Sequence, residues 1–103
     1  MASSPVARVG AELLSALLDE LKGVAGDITP AQKELAGKVA ASAALVLVAH
    51  MSGKDTKQAV LYLKAAVASI TWIAEARVKA AFARAARKVL GSIGEGLLTL
   101  ALA

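Results

Sequence analysis

Residues 29–51 read TPAQKELAGKVAASAALVLVAHM and contain the clearest helix start in the chain. Thr29 followed by Pro30 and, three residues after the threonine, by Gln32 forms a capping box with proline at the first helical position, which predicts a helix start. The helix then becomes apolar on every side over residues 44–49, as is typical of a helix at the centre of a bundle. A buried strand over residues 45–48 is the competing interpretation, but no other segment could pair with it. We therefore predict a central helix in an all-α fold.

The segments on either side of this helix continue the helical pattern. Ser4 and Pro5 predict the start of a first helix, with serine as the cap and proline at the first helical position. Apolar residues in this helix recur at spacings of three and four: Ala7, Gly10, Leu14, Leu17, Leu21, Val24 and Ile28. Further apolar residues widen the stripe, which favours a bundle over a two-stranded coiled coil. After the central helix, Gly53 and Asp55 predict a short turn and therefore an antiparallel hairpin.

Residues 56–90 contain neither glycine nor proline and predict a third helix. A single helix of this length would span roughly 50 Å, which is longer than either helix before it. It could break near residues 69–73, where Ile70, Thr71 and Ile73 are poor helix formers, or extend beyond the bundle. Because the apolar face drifts only gradually, we favour one long or gently kinked helix. Gly91, Gly94 and Gly96 should end it, and residues 97–103 should form a short apolar C-terminal helix.

The length and composition of the chain predict one domain, residues 1–103, with a thin core. The chain has 103 residues, of which 57% are hydrophobic and only 3% aromatic. Leucine, valine, isoleucine and alanine must therefore form the core, and a small alanine-rich core is marginal in stability. We expect a small helical bundle of three to four helices, arranged as antiparallel hairpins, that is stabilised by forming homo-oligomers.

The chain shows no arrangement of residues that is typical of catalysis or of metal binding. It has no cysteine, and its only histidine, His50, has no potential ligand three or four residues away, so we assign His50 a structural or partly buried role. Glu12 and Asp19 have Arg8 and Lys22 at salt-bridge spacing, which indicates a solvated helix face. The three glycines after residue 90 follow a helix rather than a strand, unlike a phosphate-binding loop. We predict a non-enzymatic protein without cofactor, metal or small-molecule substrate.

Positive charge is concentrated in the second half of the chain. Residues 1–53 carry four basic and five acidic residues, whereas residues 54–103 carry eight basic and three acidic residues. The amphipathic segment 77–88 places Arg77, Arg84, Arg87 and Lys88 on one side of a helix. These four residues are candidates for contact with an anionic partner: a nucleic-acid backbone, an anionic membrane or the acidic first helix of a neighbouring copy. A solvated outer face is the alternative interpretation.

The apolar surface of the chain suggests a role in assembly. Candidate interface residues are Leu14, Leu17, Leu21, Trp72, Leu97, Leu98 and Leu100. Trp72 is equally typical of an interface anchor and of a core residue. We expect a helical subunit of a multi-copy complex, such as a component of a virus or phage particle. The alternatives are a membrane-surface protein and a sequence-nonspecific nucleic-acid-binding protein.

The N-terminal residues do not resemble a signal peptide, because no basic segment precedes an apolar one. The longest uncharged stretch, residues 39–53, is shorter than the about 20 residues needed to cross a bilayer. We therefore expect no transmembrane helix, and a location in the cytoplasm or within an assembled particle.

Overall fold

A computed structural model describes residues 5–102 of the chain, and within this range it contains four helices and no strand. The helices are α1 (Pro5–Ala25), α2 (Pro30–Met51), α3 (Lys57–Ala68) and α4 (Glu75–Leu102). They form a compact bundle, so the predicted all-α fold is confirmed. The start of α1 at Pro5 agrees with the sequence, whereas the predicted cap at Ser4 lies outside the described residues.

The central helix α2 begins at the predicted capping box. The side-chain oxygen of Thr29 accepts a hydrogen bond from the Gln32 backbone N–H (3.2 Å), and Gln32 Oε1 accepts one from the Thr29 N–H (3.0 Å). Helices α1, α3 and α4 all contact α2. Its buried residues are Ala36, Val39, Ala40, Ala43, Ala44, Val46 and Leu47. Because many of these side chains are small, the neighbouring helices can approach α2 closely.

Helix α1 contacts both α2 and α4, and its buried side is a line of residues spaced by four. The buried residues of this line are Val9, Leu13, Leu17 and Leu21. The predicted stripe is rotated slightly from this line, so that Leu14 is only half-buried at its edge. A Cβ atom placed on Gly10 would lie 3.7 Å from the Ala44 Cβ, so the two helices approach closely at this point.

The prediction of one long helix over residues 56–90 is wrong, because the chain breaks after Ala68. Residues 69–74 connect α3 to α4, and the Ser69 hydroxyl donates to the Ala66 carbonyl (2.6 Å) at the end of α3. Ile70 and Ile73 are both buried in the core. The chain therefore breaks near residues 69–73, which was the alternative to a continuous helix. The β-branched side chains of Ile70 and Ile73 disfavour helical backbone, and their burial in the core stabilises the connection.

A second break, at Gly91, divides α4 into residues 75–90 and a C-terminal arm, residues 92–102. The backbone of Gly91 has φ 72° and ψ −168°, a conformation that is essentially restricted to glycine. Phe82 of the first part and Leu98 and Leu102 of the arm line one cavity of about 370 Å³, so the two parts lie side by side. Residues 97–102 are thus helical, as predicted, whereas residue 103 lies outside the described residues. Leu98 of the arm is buried in the core.

We predict that Gly91→Ala destabilises the protein by about 1–3 kcal/mol, because alanine does not tolerate this backbone conformation. Gly96→Ala is the matched control, since Gly96 lies in a helix and a Cβ there meets no atom within 4 Å. That control should stabilise the protein by about 0.5–1 kcal/mol through helix propensity. Urea unfolding of both variants measures the difference, and equal free energies of unfolding would contradict the reversal at Gly91.

Candidate functional site

Three of the seven predicted interface residues belong to the core of a single chain. Leu17, Leu21 and Leu98 are almost completely buried among residues of the same bundle. A second copy could reach them only if the bundle opened. Their apolar character is therefore explained by folding, and they do not form a surface in this structure.

The other four predicted interface residues differ in exposure. Leu14, Trp72 and Leu97 are half-buried and pack against the core. The indole Nε1 of Trp72 is buried and has no hydrogen-bond partner among the described residues. Leu100, by contrast, is 76% exposed. Of the seven predicted interface residues, only Leu100, with the half-buried Leu97 beside it, presents a substantial apolar surface to solvent.

The C-terminal arm carries an apolar stripe on its outer face, consisting of Ile93, Leu97 and Leu100. Ile93 is 79% exposed, and its spacing of four and three residues from Leu97 and Leu100 places all three on one side of the helix. Leu98 and Leu102 occupy the opposite, buried side. Ile93 is not among the interface residues predicted from sequence, because the glycines at positions 91, 94 and 96 predict a helix stop around it. Its heptad spacing from Leu100 was the signal that could have identified it.

A groove borders the apolar stripe. It encloses about 350 Å³, and its lining includes Val46 and His50 of α2, Val60 of α3, and Leu97 and Leu100 of the arm. His50 is exposed at this groove, so the predicted partial burial of its side chain is wrong. Helix α2 ends near the surface here and leaves the ring accessible to solvent. The groove extends the apolar surface of the arm towards the ends of α2 and α3.

Most of the predicted anion-binding residues form ion pairs within the chain. Arg84 Nε lies 2.8 Å from Glu20 Oε2, and Lys88 Nζ lies 2.7 Å from Glu20 Oε1. Arg87 lies 3.8 Å from a carboxylate oxygen of the C-terminal arm. Within residues 5–102, Arg77 forms no ion pair. The acidic partner considered for the basic helix is thus present in the α1 helix of the same chain.

Glu20 joins α1 to α4 through these two ion pairs. Its side chain is only 14% exposed, and each carboxylate oxygen faces one cation. Hydrogen bonds from Lys88 and then from Arg84 lower the pKa of Glu20 below its ordinary value. Because the pKa is lowered in the folded state, the ion pairs stabilise the fold at neutral pH. This contribution is lost as the pH falls through the lowered pKa.

We predict that Glu20→Gln lowers the free energy of unfolding by about 1 kcal/mol at neutral pH, since both cations are half exposed and screened by water. The difference from the unmodified protein should shrink as the solution becomes acidic. Asp19→Asn is the matched control, because the neighbouring Asp19 is exposed and belongs to none of these ion pairs. Urea unfolding across pH measures this effect. A difference that persists in acid would contradict the ion-pair assignment.

Two further features bear on metal binding and on a membrane-spanning helix. Within residues 5–102, no group of three or more His, Asp or Glu side chains is arranged to hold a metal ion. Helix α2 is long and apolar enough to cross a membrane by length and composition, and 39% of its most apolar window is buried inside the bundle. Helices α1, α3 and α4 cover that buried side.

Comparison with protein-family models, with curated proteins and with solved structures finds no match to this chain. Functional inference therefore rests on the surfaces described above. These are the apolar stripe with its groove, and the charged residues that remain without an ion pair.

Proposed function

We propose that this chain is a non-enzymatic helical subunit that associates with further copies of itself through the apolar stripe. The observation that supports this most directly is the exposure of Ile93 (79%) and Leu100 (76%) on one face of the C-terminal arm. Large apolar side chains grouped on a surface are typical of protein interfaces. A multi-copy assembly, such as a virus or phage particle, would bury them.

A second copy of the chain fits the chemistry of the stripe. The spacing of Ile93, Leu97 and Leu100 corresponds to the d, a and d positions of a heptad, so the same stripe on another copy can pack against it. Glu95 is the only charged residue of the C-terminal arm, and Arg87 faces its carboxylate at 3.8 Å. The charge on the arm itself is therefore paired, and Lys64, which forms no ion pair within residues 5–102, lies in the groove beside the stripe rather than on the stripe.

The alanine-rich core also favours association. Four of the seven buried residues of α2 are alanines, so each of them buries little apolar area. Fully burying Ile93 and Leu100 would contribute roughly 1.5–3 kcal/mol each. An oligomer would thus gain stability that the single bundle lacks.

The nucleic-acid alternative has less support. It depends on the basic segment 77–88, in which Glu20 already binds Arg84 and Lys88. A phosphate backbone would have to compete with that carboxylate for both cations.

Sedimentation equilibrium tests the proposal. We expect the unmodified chain to form a defined oligomer, and the double variant Ile93→Ser with Leu100→Ser to associate on the order of 100-fold more weakly. Leu61→Ser is the matched control, because Leu61 is 64% exposed on a different helix and should leave association unchanged. Equal association of the double variant and the unmodified protein would contradict the proposal. Added duplex DNA should not alter the mass distribution.

A further inference from the structure

The outer face of α3 is an exposed surface outside the core, and it meets the groove beside the apolar stripe only at Lys64. The helix sequence, KQAVLYLKAAVA, contains two lysines and no acidic residue. Leu63 and Val67 point into the core, whereas Leu61 and Tyr62 are 64% and 56% exposed. The helix therefore presents apolar side chains on both its inner and its outer faces.

Helical spacing places the outer residues of α3 in a defined order. Lys57, Leu61 and Lys64 are separated by four and three residues, so they share one stripe along the helix. Tyr62 lies about 100° around the helix from Leu61, on the side away from Lys64, and the exposed Ala65 lies between Leu61 and Tyr62. Along the helix axis the two lysines thus lie before and after the exposed leucine and tyrosine, and the stretch from Lys57 to Lys64 is about 10 Å long.

The charges on this surface are unbalanced. Asp55 precedes the helix, and its Oδ1 accepts a hydrogen bond from the Lys57 backbone N–H (3.0 Å) rather than facing the lysine ammonium group. Within residues 5–102, no carboxylate lies within ion-pair distance of Lys57 or Lys64. Glu75 borders a groove with Lys64, but it is engaged by Lys79 at 3.2 Å. The outer face of α3 therefore combines exposed apolar groups with uncompensated positive charge.

We propose that the outer face of α3 lies on the surface of an anionic lipid bilayer. Leu61 would enter the boundary between headgroups and acyl chains, and the lysines would extend their ammonium groups to lipid phosphates. The Tyr62 hydroxyl accepts a hydrogen bond from Gln58 Nε2 (3.0 Å), which leaves its own proton to donate to a headgroup oxygen. Tyrosine is enriched at such interfaces because its ring is apolar and its hydroxyl is polar.

A lipid surface fits these residues better than a nucleic acid does. A phosphate backbone would pair with the lysines but would leave Leu61, at the centre of the surface, without an apolar partner. Leu61 and Tyr62 do not line the groove beside the apolar stripe of the C-terminal arm, whereas Lys64 lies at its edge. An oligomer assembled through that stripe would present several copies of α3 and bind vesicles more tightly.

Cosedimentation with vesicles tests this inference. We expect binding to vesicles of phosphatidylcholine mixed with phosphatidylserine, and little binding to phosphatidylcholine alone. Lys57→Gln with Lys64→Gln should weaken binding by roughly fivefold for each lysine removed. Lys33→Gln with Lys38→Gln is the matched control, because these two exposed lysines of α2 carry the same charge and should matter far less. Leu61→Ser with Tyr62→Ser should weaken binding at least as much as loss of the α3 lysines.

Three results would overturn the proposal. One is equal binding to neutral and anionic vesicles, and another is an equal loss of binding in the two lysine double variants. The third is a loss of affinity for duplex DNA, but not for vesicles, when Lys57 and Lys64 are replaced. Far-UV circular dichroism confirms that each variant remains helical. Sedimentation equilibrium of the same variants measures their self-association. A variant that loses vesicle binding but still associates like the unmodified protein distinguishes the lipid surface from the assembly surface.

Discussion

The packing of alanines along α2 is the interaction on which the rest of the structure depends. Ala36, Ala40, Ala43 and Ala44 are buried, and they allow the neighbouring helices to approach closely. A helix that is apolar around most of its circumference needs cover from several directions, and a chain of this size has few residues to provide it. Helices α1 and α3 cover two sides of α2, and α4 must turn back to complete the bundle.

The reversal at Gly91 links this packing requirement to the proposed function. Once the chain has turned, one face of the C-terminal arm buries Leu98 and the opposite face exposes Ile93 and Leu100. A continuous helix would instead carry the whole apolar tail away from the core. The reversal of the arm therefore buries Leu98 and Leu102 in the core and leaves the apolar stripe exposed. That division makes the arm both a structural element and a surface suited to another copy.

Short sequence motifs predicted those parts of the fold that are stabilised by residues adjacent in the chain. The capping box at Thr29 and the turn at Gly53, where φ is 70°, are determined by neighbouring residues. The break at residues 69–74 depends instead on burying Ile70 and Ile73 against distant helices, which helical periodicity does not reveal. Glu20 and its partner Arg84 are likewise 64 residues apart in sequence. Two residues of the apolar stripe, Leu97 and Leu100, were predicted from sequence. Ile93 could be assigned to the stripe only once the structure showed that the arm begins directly after Gly91.

The reversal at Gly91 can be tested by the distance between spin labels on the two parts of α4. The chain has no native cysteine, so Ala80→Cys with Thr99→Cys can be labelled without further changes. Both positions line the same cavity, so a chain that reverses at Gly91 should hold the two labels close together. The electron paramagnetic resonance spectrum should then show strong dipolar broadening. A separation of roughly 30 Å, the length of an uninterrupted helix between the two positions, would contradict the reversal and the surface derived from it.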